Sequence, residues 1–222
     1  KIPLRKPSQR NHLPSRTFAE ADLKWSAIAQ QIRQLHESGQ PVLAGTRSIA
    51  RSELLAARLT DLSIPFEILN GKQNADEAEI IGRAGEKGAV TISTNIAGRG
   101  TDIRLTPESL QCGGLCVLAT EHHDSSRIDR QLIGRAARQG EPGSAMFFLS
   151  ASDDLLNCHG QWLRKVITSS KSTRGEIAAN MSPSVRKVQL QAERTQFLQR
   201  RALFLDDARR DIVMSRITGE AS

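Results

Sequence analysis

Between residues 17 and 150 of this chain, short apolar runs alternate with stretches whose apolar positions recur every three or four residues. The runs are PVLAGT (41–46), FEILN (66–70), AVTIST (89–94), LCVLAT (115–120) and AMFFLS (145–150). None shows the clean apolar-polar alternation of a half-exposed strand, so each fits a sheet buried on both faces. Between them, Phe18, Trp25, Ile28, Ile32 and Leu35 follow helical spacing up to Gly39, with Thr17 and Glu20 placed as a capping box. Ser48 is placed to cap a helix whose Leu55, Leu59 and Leu62 face the core, and Asn74 with Glu77 to open a short helix to about Ala84. A further helix is expected from about Ser125 to Gln139. Strand and helix in turn predict an α/β fold, a parallel sheet covered by helices, in which ligands gather at the carboxyl ends of the strands.

After Ser150 the pattern is mixed and polar, with breaks expected at 172–175 and 182–184. Then Val185, Val188, Ala192, Thr195, Leu198, Ala202, Leu205, Ala208 and Ile212 form one apolar stripe of a long helix, and Leu190, Phe197 and Phe204 a second. Such a helix cannot bury both stripes alone, so it should pack on the α/β body, on other parts of a parent chain or on a partner. The expected division is a linker at 1–16, the α/β domain at 17–156 and a helical extension at 157–222.

A chain of 222 residues with 38% apolar content suits one good-sized domain with or without an appendage. Its polar, basic, proline-marked start, KIPLRKPSQRNHLPSR, has no apolar core for a signal peptide and reads as a cut inside a longer polypeptide. No stretch approaches the roughly 20 apolar residues of a bilayer span, so a membrane role would be peripheral. Three cysteines argue against a disulfide framework and for a reducing, cytosolic setting. Cys112 and Cys116 near His122 and His123, and Cys158 beside His159, raise a zinc site. The absence of a C-x-x-C pair and the strand-like LCVLAT favour a structural role, and no bound metal is expected. The formal charge of +7 is concentrated late: residues 1–160 carry 19 basic and 18 acidic side chains, 161–222 carry 12 and 6. A basic helix fits anionic lipid, nucleic acid, an acidic partner or simply a solvated face.

Two segments carry chemistry. In TNIAGRGTDI (94–103), Gly98 and Gly100 bracket Arg99 and allow close backbone approach to a ligand, while Asp102 could accept from a ribose hydroxyl or hold a neighbouring arginine. Alone, this is equally a tight loop. In QLIGRAARQG (131–140), Arg135 and Arg138 are three apart, on one face of the expected helix, with no carboxylate close by on it. Paired guanidiniums of this kind grip phosphoryl oxygens in a way lysine cannot. Yet no G-x-x-x-x-G-K-[ST] run occurs, so the chain reads as the arginine-supplying side of a split nucleotide site.

PVLAGTRSIARSELLAARL, FEILNGKQNADEAEIIGRAGEKGAVTISTNIAGRGTDI and GGLCVLATEHHDSSRIDRQLIGRAARQGEPGSAMFFLSASDDLL resemble the second nucleotide-binding domain of the SecA family of preprotein translocase ATPases. The likeness covers approximately 16–156, and VQLQAERTQFLQRRALFLDDARRD resembles the start of the family's scaffold helix. The resemblance implies a RecA-like domain that closes over ATP, with Mg²⁺, held by a first domain. By motif position Gly98, Arg99, Gly100 and Asp102 would contact nucleotide, and Arg135 and Arg138 would be arginine fingers for the γ-phosphate. It further implies a cytoplasmic, peripherally membrane-associated motor whose partners are the first domain, a protein-conducting channel and a preprotein, with anionic lipid an open partner for the basic helix and nucleic acid disfavoured. The chain alone would be inactive. Family members commonly have arginine at Ile133 and glycine at Ala137, L-G-G where L-T-P follows the G-T-D-I segment, and a longer spacer before GGLCVLAT; these departures suggest a divergent, SecA-like paralogue. The rival readings are an RNA or DNA helicase domain, disfavoured by 4% aromatic content with no Tyr, and a docking module built on the long helix.

Overall fold

The computed structural model describes residues 7–69, 74–94, 102–170, 172–173 and 175–218. The chain opens with two short strands, β1 (Gln9–His12) and β2 (Arg16–Phe18), before α1 (Ala21–Glu37), β3 (Val42–Thr46) and α2 (Ile49–Asp61). Next come β4 (Glu67–Leu69), α3 (Asn74–Arg83), β5 (Val90–Thr94), α4 (Pro107–Gln111), β6 (Leu115–Ala119), α5 (Ser126–Ile133) and β7 (Pro142–Ser150). Two short helices, α6 (Asp154–His159) and α7 (Gln161–Ser169), a two-residue strand β8 (Glu176–Ile177) and the long α8 (Ser182–Thr218) complete it.

The strands form one sheet in the order β4-β5-β3-β6-β7-β2-β8, parallel throughout except that β8 runs against β2. The expected α/β class, a RecA-like parallel sheet with helices on both faces, is what the chain forms. β7 is long enough to pair with β6 on one side and, on the other, with β1 along its first half and β2 along its second. Residues expected to be a linker therefore contribute a strand. QRNH has no apolar rhythm because it lies at a sheet margin, where outward-facing polar side chains carry no penalty. Thr17 sits in β2 and caps nothing: α1 begins after Glu20 with no side-chain cap. Ser48 does cap α2, its hydroxyl accepting from the Arg51 N–H. The side chain of Asn74 lies outside the described residues.

Alternate residues of the central strands feed two cores. Val42, Ala44, Val90, Ile92, Cys116 and Leu118 meet Trp25, Ile28 and Ile32 of α1 and Leu55 and Leu59 of α2. The intervening Leu43, Leu115, Val117 and Ala119 face the other way, onto Leu132 and Ala136 and the chain at Ile103 and Leu105. The second side of the sheet thus carries α5, directly under the arginine segment.

A third cluster joins Leu149 and Ala151 to Leu155, Leu156, Leu163 and Ile167 of α6 and α7 and to Val185, Val188 and Ala192 of α8. Only the first turns of the long helix are seated. Farther on, Leu198, Phe204 and Leu205 are 52%, 72% and 47% exposed, so both stripes of α8 leave the body uncovered by this chain.

α1 is pinned by charge as well as apolar area. The ammonium of Lys24, fully buried, reaches Oδ1 of Asp153 at 2.5 Å, and the same carboxylate accepts from the Ser150 N–H and hydroxyl at 2.8 and 2.6 Å. Removing one partner of a buried pair leaves an uncompensated charge. Lys24→Met is expected to lower stability by about 3–5 kcal/mol in urea denaturation; a loss under ~1 kcal/mol would show that water reaches the pair.

Candidate functional site

α5 carries the chain from the carboxyl end of β6 back toward the start of β7, and it stops sooner than its sequence suggests. The expected helix to Gln139 ends at Ile133: the N–H groups of Arg135 and Ala136 bond three residues back, to Leu132 and Ile133, tightening the last turn. The N–H groups of Arg138 and Gln139 then turn away to the two carboxylate oxygens of Glu141, at 2.9 and 2.7 Å. Arg135 and Arg138 consequently lie on a turn, not on one helical face. Ala137 bends that turn with a φ of 53°, and Gly140 continues it at 87°. A left-handed angle at a residue with a Cβ is unfavourable by roughly 1–2 kcal/mol, and Ala137 stands where the resemblance leads one to expect glycine.

The turn brings two of the expected residues together. Arg138 Nη1 donates to Oδ1 of Asp102 at 3.1 Å, and its Nε to the Gly134 carbonyl at 3.1 Å; Gln139 Nε2 donates to the other Asp102 oxygen at 2.7 Å. The carboxylates that meet this turn, Asp102 and Glu141, come from segments off the helix, where the helical spacing gave no sign of them. Asp102 takes the second role foreseen for it, holding an arginine. Arg138 and Asp102 are each more than a third exposed, so their ion pair is screened and worth about 0–1 kcal/mol. Beside the pair is a cleft of about 540 Å³ lined by Asp102, Ile103, Arg104, Leu105, Leu110, Gln139 and Glu141. Gly98, Arg99 and Gly100 lie outside the described residues.

One contributor was missed from sequence. Arg10, in the presumed linker, sends Nε and Nη2 to the Ala136 carbonyl at 3.0 and 2.8 Å, bracing the turn from β1. Burial, and then the charge of Arg138, lower the Arg10 guanidinium below its ordinary pKa. Only the basic residue type signalled it; its role depends on β1 pairing with β7.

At the carboxyl end of β6, Glu121 is buried with neither carboxylate oxygen hydrogen-bonded, though Arg51 Nε stands 3.2 Å from Oε1. Burial first, and the neighbouring Asp153 second, push its pKa up against the opposing charges of Lys24, Arg51 and Arg47. Cys116 is buried in β6, Cys112 half-buried and Cys158 exposed. Among the described residues no group of three or more His, Cys, Asp or Glu side chains is disposed to hold a metal ion. Nor is any described helix long and apolar enough to cross a membrane.

The class of domain is defined by solved structures with the same fold. The Escherichia coli DEAD-box protein SrmB, bound to the regulator of ribonuclease activity A, matches 68% of this chain and 82% of its own with a TM-score of 0.53 at 24% identity. The yeast DEAD-box splicing factor Prp28 matches 82% of this chain and 37% of its own, with a TM-score of 0.55 at 16% identity. At that identity the likeness is one of fold. The family model for the SecA P-loop domain matches residues 7–111 and 106–174. The protein translocase subunit SecA of Thermotoga petrophila is 44% identical over 210 residues, 93% of this chain and 24% of that protein. SecA 2 of Bordetella avium is 52% identical over 157 residues, 71% of this chain and 24% of that protein. The chain belongs to the SecA family. It spans about a quarter of the length of these relatives.

Two measurements follow from the geometry. Ala137→Gly should leave stability unchanged or raise it by up to about 1 kcal/mol in urea denaturation, because relief of the left-handed angle opposes the lost methyl and the added chain entropy; a loss above ~1 kcal/mol would contradict the strain. Glu121, with its folded pKa raised, contributes less stability as pH climbs above its unfolded value of about 4.3. Glu121→Gln removes that decline, so paired melts should favour the variant more at pH 7 than at pH 4; a pH-independent difference would show that Arg51 neutralises the carboxylate fully.

Proposed function

We propose that this chain is the second motor lobe of a SecA-type ATPase that couples ATP binding and hydrolysis to preprotein movement across a membrane. In this reading the α/β body (17–156) closes on ATP and its Mg²⁺ held by a first nucleotide-binding domain. The observation that carries it is the turn at 134–140, which presents Arg138 on a weak, exposed ion pair with Asp102, between segments matching family motifs.

Arg138 serves as the finger. When the lobes meet, the terminal phosphate outbids Asp102 for the guanidinium, whose planar fork neutralises charge developing on the transferred phosphoryl group. Asp102 parks the side chain until then and, once released, accepts from nucleotide or from Gln139. Arg135 supplies a second cation on the same turn, and Arg10 keeps the Ala136 carbonyl, and with it the turn, from drifting. Gly98, Arg99 and Gly100 approach the nucleotide from the other segment. The long α8 passes closure onward, toward the preprotein and the protein-conducting channel at the cytoplasmic membrane surface, where its basic stretch also suits anionic lipid.

Family membership separates this reading from a nucleic-acid helicase, which the fold alone does not. The purified chain is expected to show no steady ATP turnover, and joining it to a SecA first nucleotide-binding domain to restore hydrolysis. Arg138→Ala in the joined protein should lower kcat by about 10³-fold or more while its thermal melt is unchanged. Turnover by the chain alone, or normal kcat in the variant, would overturn the assignment. Salt-steep binding to single-stranded RNA would move the helicase reading ahead.

A further inference from the structure

Apart from its apolar footing and a Ser182–Ser15 hydroxyl contact at its start, α8 grips the body through Gln189 and Glu193, which the proposed phosphate chemistry does not use. Gln189 and Glu193 are four residues apart, on one face of the helix. They hold opposite parts of the segment that leads from β6 into α5.

Gln189 is buried, and its side-chain nitrogen donates to the His123 carbonyl at 2.8 Å and to Oδ2 of Asp129 at 2.7 Å. Asp129, in the first turn of α5, accepts also from His122 Nδ1 at 2.8 Å, His123 Nδ1 at 2.7 Å and the His123 N–H at 2.9 Å. Burial raises the Asp129 pKa, but the histidine hydrogen bonds outweigh it and hold the carboxyl well below the usual carboxylate range. It is therefore an ionised, four-donor hub. Glu193 Oε1 accepts from the Ser125 hydroxyl at 3.1 Å, the Ser126 N–H at 2.8 Å and the Ser126 hydroxyl at 3.0 Å. Its carboxylate thus occupies the positive end of α5, where N–H groups lack helical partners.

The lever is short. α5 has eight residues, so at ~1.5 Å per residue about 12 Å separate the clamp from the arginine turn. Leu132 and Ala136, at the turn end, cluster with Leu43, Leu115 and Val117 of the sheet, which gives a displaced α5 a fixed point to pivot on. On the other side of the clamp, every side chain of α8 from Phe197 to Asp207 is exposed. A force on that arm reaches the body first around Glu193, Ala192 and Gln189.

We infer that Gln189 and Glu193 are positioning residues: they convert a tilt of α8 into a shift of α5, and so set where Arg135 and Arg138 stand against the nucleotide. The inference rests on the proposed role of those arginines. A purely stabilising cap would lower the melting temperature and leave turnover per folded molecule untouched. A positioning clamp affects the step in which the arginine acts while leaving nucleotide affinity alone.

The test uses the whole motor protein, with steady-state ATP hydrolysis measured well below the melting point of every variant. Gln189→Leu combined with Glu193→Ala should lower kcat at least about tenfold with KM for ATP within about twofold of wild type. Glu193→Gln, which keeps a carbonyl on the α5 N-terminus, should recover most of kcat. Hydrogen exchange should show that nucleotide alters protection in α8 of the wild type and no longer does so in the double variant. Unchanged kcat, a loss that merely follows the melting temperature, or a KM that rises in parallel would each overturn the clamp. Arg138→Ala is the control: if it turns over normally, the site assignment fails and takes this inference with it. If it is dead while the clamp variants are normal, only the clamp fails.

Discussion

The site depends on a helix that stops early. Had α5 continued to Gln139, Arg138 would point along a regular helical face and the N–H groups of Arg138 and Gln139 would be bound to helix carbonyls. Instead Gly134, the left-handed Ala137 and the carboxylate of Glu141 divert the backbone. The guanidinium of Arg138 is thereby swung onto Asp102, 36 residues away in sequence. That ion pair is too exposed to add much stability, which suits a side chain that must change partners. What fixes the turn is less exposed: Leu132 and Ala136 buried beneath it, and the half-buried fork of Arg10 on the Ala136 carbonyl.

Much of this was legible from the chain. The five apolar runs without alternation correspond to β3 to β7, because a sheet covered on both faces selects for apolar residues on both sides of its strands. Ser48 and Gly39 marked real helix ends because capping and left-handed angles are local events. β1 and β2 escaped notice because their pairing partner, β7, is more than a hundred residues distant and their own residues are polar or few. α5 was read too long because alanine and arginine favour helix, whereas the stop is enforced by Glu141 and by the return to β7. Of the residues named from the sequence, Asp102 and Arg138 are in contact; the contacts of Arg10, Gln189 and Glu193 were not legible, since each is made with a main-chain or side-chain partner that only the tertiary fold supplies.

In the proposed reading the two ends of α5 have different tasks. At one end stand the arginines proposed for the nucleotide; at the other, an ionised aspartate and two α8 side chains join it to a helix whose outer length is exposed and apolar. A protein that bound nucleotide only for stability would have no use for such an arm. Among the described side chains of α8 the buried ones, Val185, Val188, Gln189 and Ala192, all lie in its first turns, and the chain spans about a quarter of its relatives' length.

The most direct measurement is a structure of the two-lobe protein with ADP and a planar fluoride mimic of the transferred phosphate. The account predicts Arg138 released from Asp102, its guanidinium within hydrogen-bonding distance of that mimic, and the Arg10 hold on Ala136 intact. Arg138 still paired with Asp102 while the nucleotide is fully enclosed would contradict it.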